Sequence, residues 1–209
     1  MAHKKLYIIK FSSKGTVPKM NLPNKLTCLR MIMIPFFLFF LIFPEVCGFT
    51  VSRIVAAILF ALTSLTDMLD GKIARKYNLV TDFGKFMDPL ADKLMVFGAM
   101  LGIIIINGGN AVFAKVFTCA AFLIIFRELA VTSMRMIVSS SAGIVVAANI
   151  FGKLKTVSQI IGIIVIILEP LIWDGYIASY VMSAIMVITT MFSGFSYFKA
   201  YWPHINSNK

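Results

Sequence analysis

Four aspartates stand where an apolar chain should not carry them. Asp67 and Asp70 close one long apolar run, and Asp88 and Asp92 open the next. On a helix, spacings of three and four put each pair on one face, about one 5.4 Å turn apart. An aspartate at the centre of a membrane helix costs about 2.5–3.5 kcal/mol, less near the interface, so four could cost on the order of 10 kcal/mol uncompensated. Two helices joined by one connection can face each other, and four carboxylates then balance two divalent cations. An all-oxygen donor set, with no His or Cys in the segment, favours Mg²⁺ or Mn²⁺ over zinc.

The residues around the acids extend that chemistry. Gly71, Ala74 and Gly84 are small enough for a flat ligand to approach the backbone, and Arg75 can bind phosphate in a forked geometry. Two hard cations, a guanidinium and room for a ring point to nucleotide diphosphate chemistry, in which paired metals clamp the attacking and leaving oxygens. The pattern Asp67-x-x-Asp70-Gly71-x-x-Ala74-Arg75, eight residues, Gly84-x-x-x-Asp88-x-x-x-Asp92 resembles the complete signature of the CDP-alcohol phosphatidyltransferases, with no position departing from it. The resemblance implies six membrane helices, a homodimer and a cytoplasm-facing site for CDP-diacylglycerol and divalent metal. It implies Asp67, Asp70 and Asp88 as metal ligands, with Asp92 as general base and a further ligand. Asp70, Gly71, Ala74, Arg75, Thr81 and Gly84 would bind the CDP-lipid.

The acceptor alcohol is read from the remaining basic residues. These gather at Arg127-Glu128, Arg135 and Gly152-Lys153-Leu154-Lys155-Thr156, with Gln159 one turn on. An uncharged alcohol has no use for them, whereas two or three cations near a helix start make a seat for a phosphate. The two patterns, and Pro23-Asn24-x-Leu26-Thr27-x-x-Arg30 near the start, are similar to those of the family's bacterial branch that uses glycerol 3-phosphate. That resemblance implies Arg127, Arg135, Lys153 and Lys155 as holders of the acceptor phosphate. The alternative within the family is another acceptor, such as inositol phosphate, serine or phosphatidylglycerol.

Such a site needs membrane helices to carry it. The chain has 209 residues, 59% hydrophobic and 14% charged, and its mean hydropathy is +0.90. A soluble domain is roughly 45–50% apolar and about 25% charged. Twenty basic residues against nine acidic ones leave +11, which with so much apolar sequence points to membrane lipid and not to nucleic acid. Apolar runs near residues 30–43, 51–70, 86–106, 112–138, 149–168 and 172–198 predict an all-α membrane protein with six transmembrane helices. Asn24 to Arg30 is expected to form an interfacial helix ahead of them, with Lys25 and Arg30 as anchors at the membrane surface. Basic residues concentrate in the N-terminal arm and in the second-to-third and fourth-to-fifth connections, so both termini and the site are predicted to be cytoplasmic.

Residues 1–19 carry five lysines and no acid, and read as an expression leader or a basic extension. Residues 20–202 form the membrane domain and 203–209 a tail. Without the leader, fifteen basic residues face nine acidic ones, or +6. Cys28, Cys47 and Cys119 have no CxxC spacing and read as reduced packing residues. Asp82 suits the N-cap of the third span. Trp173, Tyr176, Tyr197, Tyr201 and Trp202 suit an aromatic belt. Arg127 with Glu128 could instead be a buried pair that stabilises helix packing. A divalent-cation transporter would also place acids in membrane helices, but the chain lacks the repeat symmetry and matched broken helices of such proteins. A non-catalytic scaffold would not need the acids.

Overall fold

A computed structural model describes residues 22–76, 82–142 and 150–206, and the described residues contain no strand. They form helices α1 (Leu22–Ile42), α2 (Phe49–Lys76), α3 (Asp82–Ile106), α4 (Ala111–Ala142), α5 (Ile150–Leu168) and α6 (Ile177–Asn206). A 3₁₀ turn at Glu169–Leu171 follows α5. Five segments are long and apolar enough to cross a membrane: Asn24–Ile42, Phe49–Leu69, Met87–Ile106, Ile150–Leu171 and Ile177–Trp202. Helix α4 carries Lys115, Arg127, Glu128 and Arg135 and is not among them.

Helix α1 packs against α2 and α3, α5 against α6 and α2, and α4 against α6. One core joins Phe37 and Leu41 of α1, Phe60 of α2, Met100 and Ile103 of α3, Phe113 and Phe117 of α4, and Ile163 and Ile166 of α5. Because lipid is as apolar as the core, close backbone approach has to supply the packing. At Gly102 of α3 a Cβ would lie 2.5 Å from Leu41 Cδ2, so glycine leaves room for the Leu41 side chain of α1. The outward positions are as apolar as the inward ones: Phe36 is 57% exposed and its neighbour Phe37 only 1%.

Local chemistry explains where the helices stop and start. Pro44 follows α1, and Gly48, with φ +84°, precedes α2. Asn110 caps α4, its Oδ1 accepting the Phe113 N–H at 3.1 Å. Arg53 is buried and donates to the Ile167 carbonyl at 3.1 Å, placing a cation at the C-terminal end of α5. The buried Glu169 carboxylate accepts the amide N–H groups of Ala178 (2.7 Å) and Ser179 (2.6 Å) and the Ser179 hydroxyl, so it caps α6. Just before that cap, Tyr176 adopts φ 53°, and its ring packs 5.3 Å from Phe113.

Two expectations change. Residues 24–30 are no separate interfacial helix but the first turns of α1, which runs unbroken through Pro35. Asn24, Thr27 and Arg30 recur every three residues along one face and turn inward, so Arg30 is buried and does not anchor at a surface, while Lys25 is exposed. The aromatic belt also shrinks. Tyr197 and Tyr201 are buried with Val131 and Val138, and Tyr176 packs on the core, which leaves Trp173 and Trp202 exposed. The three cysteines are free, Cys47 and Cys119 on the surface. Asp82 is the first residue of α3, and its side chain lies outside the described residues, as do residues 1–19 and residues 207–209 of the tail, whose first part continues α6 to Asn206.

Replacing Glu169 with alanine removes one acceptor from three donors at the start of α6. A loss of about 1–3 kcal/mol is expected, read as a lower unfolding midpoint in detergent. An unchanged midpoint would show that the cap carries no stability.

Candidate active site

The acidic half of the site is built on three helices. Asp67 lies near the end of α2, and Asp88 and Asp92 in the first turns of α3. Helix α1 reaches both: Arg30 forms an ion pair with Asp67, and the Thr27 hydroxyl donates to Asp88 Oδ1 at 2.6 Å. Pro89 sits inside α3 directly after Asp88, and the Lys93 ammonium lies 3.4 Å from its carbonyl. Ser64, one turn before Asp67, turns its hydroxyl back to the Phe60 carbonyl at 2.8 Å.

The basic half comes from α4 and α5. Arg127 is buried, its Nη2 donating to Ser193 Oγ of α6 at 2.7 Å and its guanidinium 5.7 Å from the Tyr197 ring. At Gly194 a Cβ would lie 2.9 Å from Arg127 Cγ, so glycine is what lets α6 close over this side chain. Glu128 ties the half together, receiving the Lys155 ammonium and, at 3.3 Å, Arg127 Nη1. Helix α5 is fixed beside α6 by the Ser158–Thr189 hydroxyl pair at 2.7 Å and by Gln159 donating to Thr190 at 3.3 Å.

These halves meet in open space. A cavity of about 780 Å³ between α2, α4, α5 and α6 is lined by Asp67, Arg127, Glu128, Arg135, Lys153 and Lys155. A smaller one beside it is lined by Asp67 and Asp92 together with Glu128, Lys155 and Gln159. Asp67, Glu128 and Lys155 line both, so acidic and basic residues of α2, α4 and α5 share one wall. The larger space also exposes Leu65, Met68 and Val131, and so combines charge with an apolar lining. Such a mixed cleft suits a ligand with a polar head and apolar tails.

Asp70, Gly71, Ala74 and Arg75 fall on the last turns of α2 and Gly84 on the first of α3, but their side chains lie outside the described residues, as does Thr81 altogether. Among the described residues no three Asp, Glu, His or Cys side chains cluster as a metal site. The donors available, Asp67 and Asp92 around one cavity and Asp88 nearby in α3, are hard carboxylate oxygens, which fit a hard divalent cation.

In this network the sequence leaves Ser193 unmarked, offers Arg30 as a surface anchor and Tyr197 as part of an aromatic belt, and shows Thr27 only within the Pro23–Arg30 pattern. Glu128 reads there only as half of a pair with Arg127. The signal for Arg30 and Glu128 was present, because an ionisable residue inside an apolar run needs a partner in the bundle. For Thr27 the signal was the three-residue recurrence of Asn24, Thr27 and Arg30. Nothing local marked Ser193 or Tyr197 for this network.

Comparison with known proteins bears on the same residues. The family pattern described as CDP-alcohol phosphatidyltransferase matches residues 20–194. The chain is 38% identical over 198 residues to the CDP-diacylglycerol–glycerol-3-phosphate 3-phosphatidyltransferase of Bacillus subtilis (strain 168), covering 90% of this chain and 98% of that protein. It is 35% identical over 184 residues to the protein of that name from Rickettsia typhi (strain ATCC VR-144 / Wilmington), covering 86% and 96%. A probable phosphatidylglycerophosphate synthase of Mycobacterium tuberculosis (strain ATCC 25618 / H37Rv) is 35% identical over 177 residues, covering 85% and 79%. With the acidic pattern in place and a family match over most of its length, the chain is a multi-pass membrane protein that belongs to the CDP-alcohol phosphatidyltransferase family.

Proposed function

We propose that this protein transfers the phosphatidyl group of CDP-diacylglycerol to glycerol 3-phosphate, giving phosphatidylglycerophosphate and CMP. The observation that carries the reading is that Asp67 lines one cavity with Arg127, Arg135, Lys153 and Lys155 and, together with Asp92, the smaller cavity beside it. A phosphate-bearing alcohol has a use for both kinds of charge, since its anion needs cations and its hydroxyl needs a base near the reacting phosphorus. The names carried by the relatives agree with this choice of donor and acceptor.

Asp67, Asp70, Asp88 and Asp92 would hold two divalent cations, Mg²⁺ or Mn²⁺. When bound, these neutralise the pyrophosphate and the CMP that leaves. By the resemblance of the motif, Gly71, Ala74 and Gly84 would leave room for the cytidine, Asp70 and Thr81 would contact the CDP-lipid, and Arg75 would pair with phosphate. Asp92 accepts the proton of the primary hydroxyl of glycerol 3-phosphate. The oxygen so freed attacks the lipid-side phosphorus, and the bond from that phosphorus to CMP breaks. Arg127, Arg135, Lys153 and Lys155 hold the acceptor's own phosphate, and the Lys155–Glu128 ion pair keeps one of these cations at the shared wall. Exposed Arg135 and Lys153 are free to follow an arriving anion, whereas buried Arg127 and Lys155 are held in place.

The proposal extends to topology and assembly. Helix α4, with 32 residues, is about 48 Å long and can make the sixth span. The concentration of basic residues in the N-terminal arm and alternate connections supports cytoplasmic termini and a cytoplasm-facing site. The resemblance to the family implies a homodimer.

The direct test supplies purified protein with CDP-diacylglycerol, divalent metal and each candidate acceptor in turn, and identifies the lipid formed. Glycerol 3-phosphate should release CMP and yield phosphatidylglycerophosphate; product from another acceptor alone would overturn the acceptor assignment. Asp92→Asn should abolish turnover while CDP-diacylglycerol still binds, and turnover at the wild-type rate would remove Asp92 from the mechanism. Lys153→Ala should raise KM for the acceptor about tenfold or more with a smaller change in kcat, as loss of one charged hydrogen bond implies. An unchanged KM would take Lys153 out of the phosphate seat.

A further inference from the structure

Arg30 is the most fully buried cation among the described residues, at 0% exposure, and it is paired with an acid assigned above to metal binding. It lines neither cavity, and nor does Thr27, whereas Asp67 lines both. Arg30 reaches Asp67 from α1, and Thr27 reaches Asp88 from the same helix across 61 residues of chain. One face of α1 thus grips the two helices that carry the acidic pattern.

A buried ion pair is a poor source of stability, because desolvation offsets most of its attraction and an apolar side chain of similar size often packs better. Carboxylates facing one another in a membrane helix pair are a further cost whenever no cation is present. Arg30 answers both points if its task is to balance charge in the protein before the metal arrives. A carboxylate has lone pairs for more than one partner, so Asp67 can keep this contact and still present an oxygen to the cavity.

We propose that Arg30 and Thr27 are positioning residues: α1 supplies a built-in counter-charge to Asp67 and a hydrogen bond to Asp88, which hold the acidic helices in register while no divalent cation is bound. The proposal rests on the reading of the aspartates as metal ligands. It makes the metal-free protein a preassembled receptor whose order does not depend on the metal, and it assigns Arg30 no contact with substrate.

The test is a set of unfolding midpoints in detergent for wild type, Arg30→Gln, Arg30→Lys, Asp67→Asn and the double variant Arg30→Gln/Asp67→Asn, each without metal and in saturating Mg²⁺, alongside Mn²⁺ binding by electron paramagnetic resonance. Without metal, Arg30→Gln should lose about 10 °C, the scale of losing the buried partner of an ion pair in a chain of this size. Mg²⁺ should restore at least half of that loss, and Arg30→Lys, which keeps the charge, should fall less. Removing both charges should leave the metal-free double variant more stable than Arg30→Gln. A drop that is equal with and without Mg²⁺, or a double variant less stable than Arg30→Gln, would reduce Arg30 to a packing residue and overturn the proposal. If Arg30→Gln does not accumulate, the double variant must; failure of both overturns it equally. Wild-type protein that binds no Mn²⁺ would overturn the reading of the aspartates and this proposal with it, whereas Mn²⁺ binding with metal-independent losses would overturn the proposal alone.

Discussion

Ionised side chains inside an apolar bundle have to be answered by other charges, and the helices of this protein are arranged around those answers. Asp67 is met by Arg30, and Glu128 by Lys155 and Arg127. The Arg30–Asp67 pair ties α1 to α2 and the Lys155–Glu128 pair ties α4 to α5, while Arg127 and Glu128 are neighbours on α4. Hydrogen bonds with uncharged partners complete the frame, the Thr27 hydroxyl donating to Asp88 and Arg127 donating to Ser193. Apolar packing alone could not specify this, because in lipid an apolar face gains little by turning inward. Polar contacts distinguish one arrangement of equally apolar helices from another.

The same pairs leave charge available on the cavity side. Asp67 and Lys155 are each bound to a partner and still line both cavities, so the groups that hold the bundle together also border the space where a ligand would sit. Stability and recognition are therefore linked in these side chains. A substitution at either end of a pair changes the cavity and the packing together, which is why paired and conservative variants separate the two effects better than single truncations.

Much of this was legible in the sequence, for identifiable reasons. The aspartates could be placed because three- and four-residue spacings have a fixed meaning on a helix. The order of the helices followed from apolar length and from breaks at Pro44, Gly108-Gly109 and Pro170. Orientation within each helix was not legible. Phe36 and Phe37 are adjacent and identical in type, yet one faces out and the other fills the core. Hydropathy assigns both to a span and is silent about which faces lipid. For the same reason Arg30 read as a surface anchor and Tyr197 as part of an interfacial belt, although both turn inward toward charged partners that are distant in sequence. The cytidine side of the site, at Asp70, Gly71, Ala74, Arg75, Thr81 and Gly84, stands on the resemblance of the motif.

The central claim is that the acidic residues of α2 and α3 and the basic residues of α4 and α5 serve one ligand-binding space. An experimental structure of the purified protein with Mn²⁺ and glycerol 3-phosphate tests it most directly, using the anomalous signal of the metal to locate it. The account predicts Mn²⁺ at Asp67 and Asp92, with the phosphate of glycerol 3-phosphate within hydrogen-bond distance of Lys155 or Arg127 in the adjoining cavity. Metal bound away from these aspartates, or the phosphate bound on a surface that shares no wall with them, would contradict it.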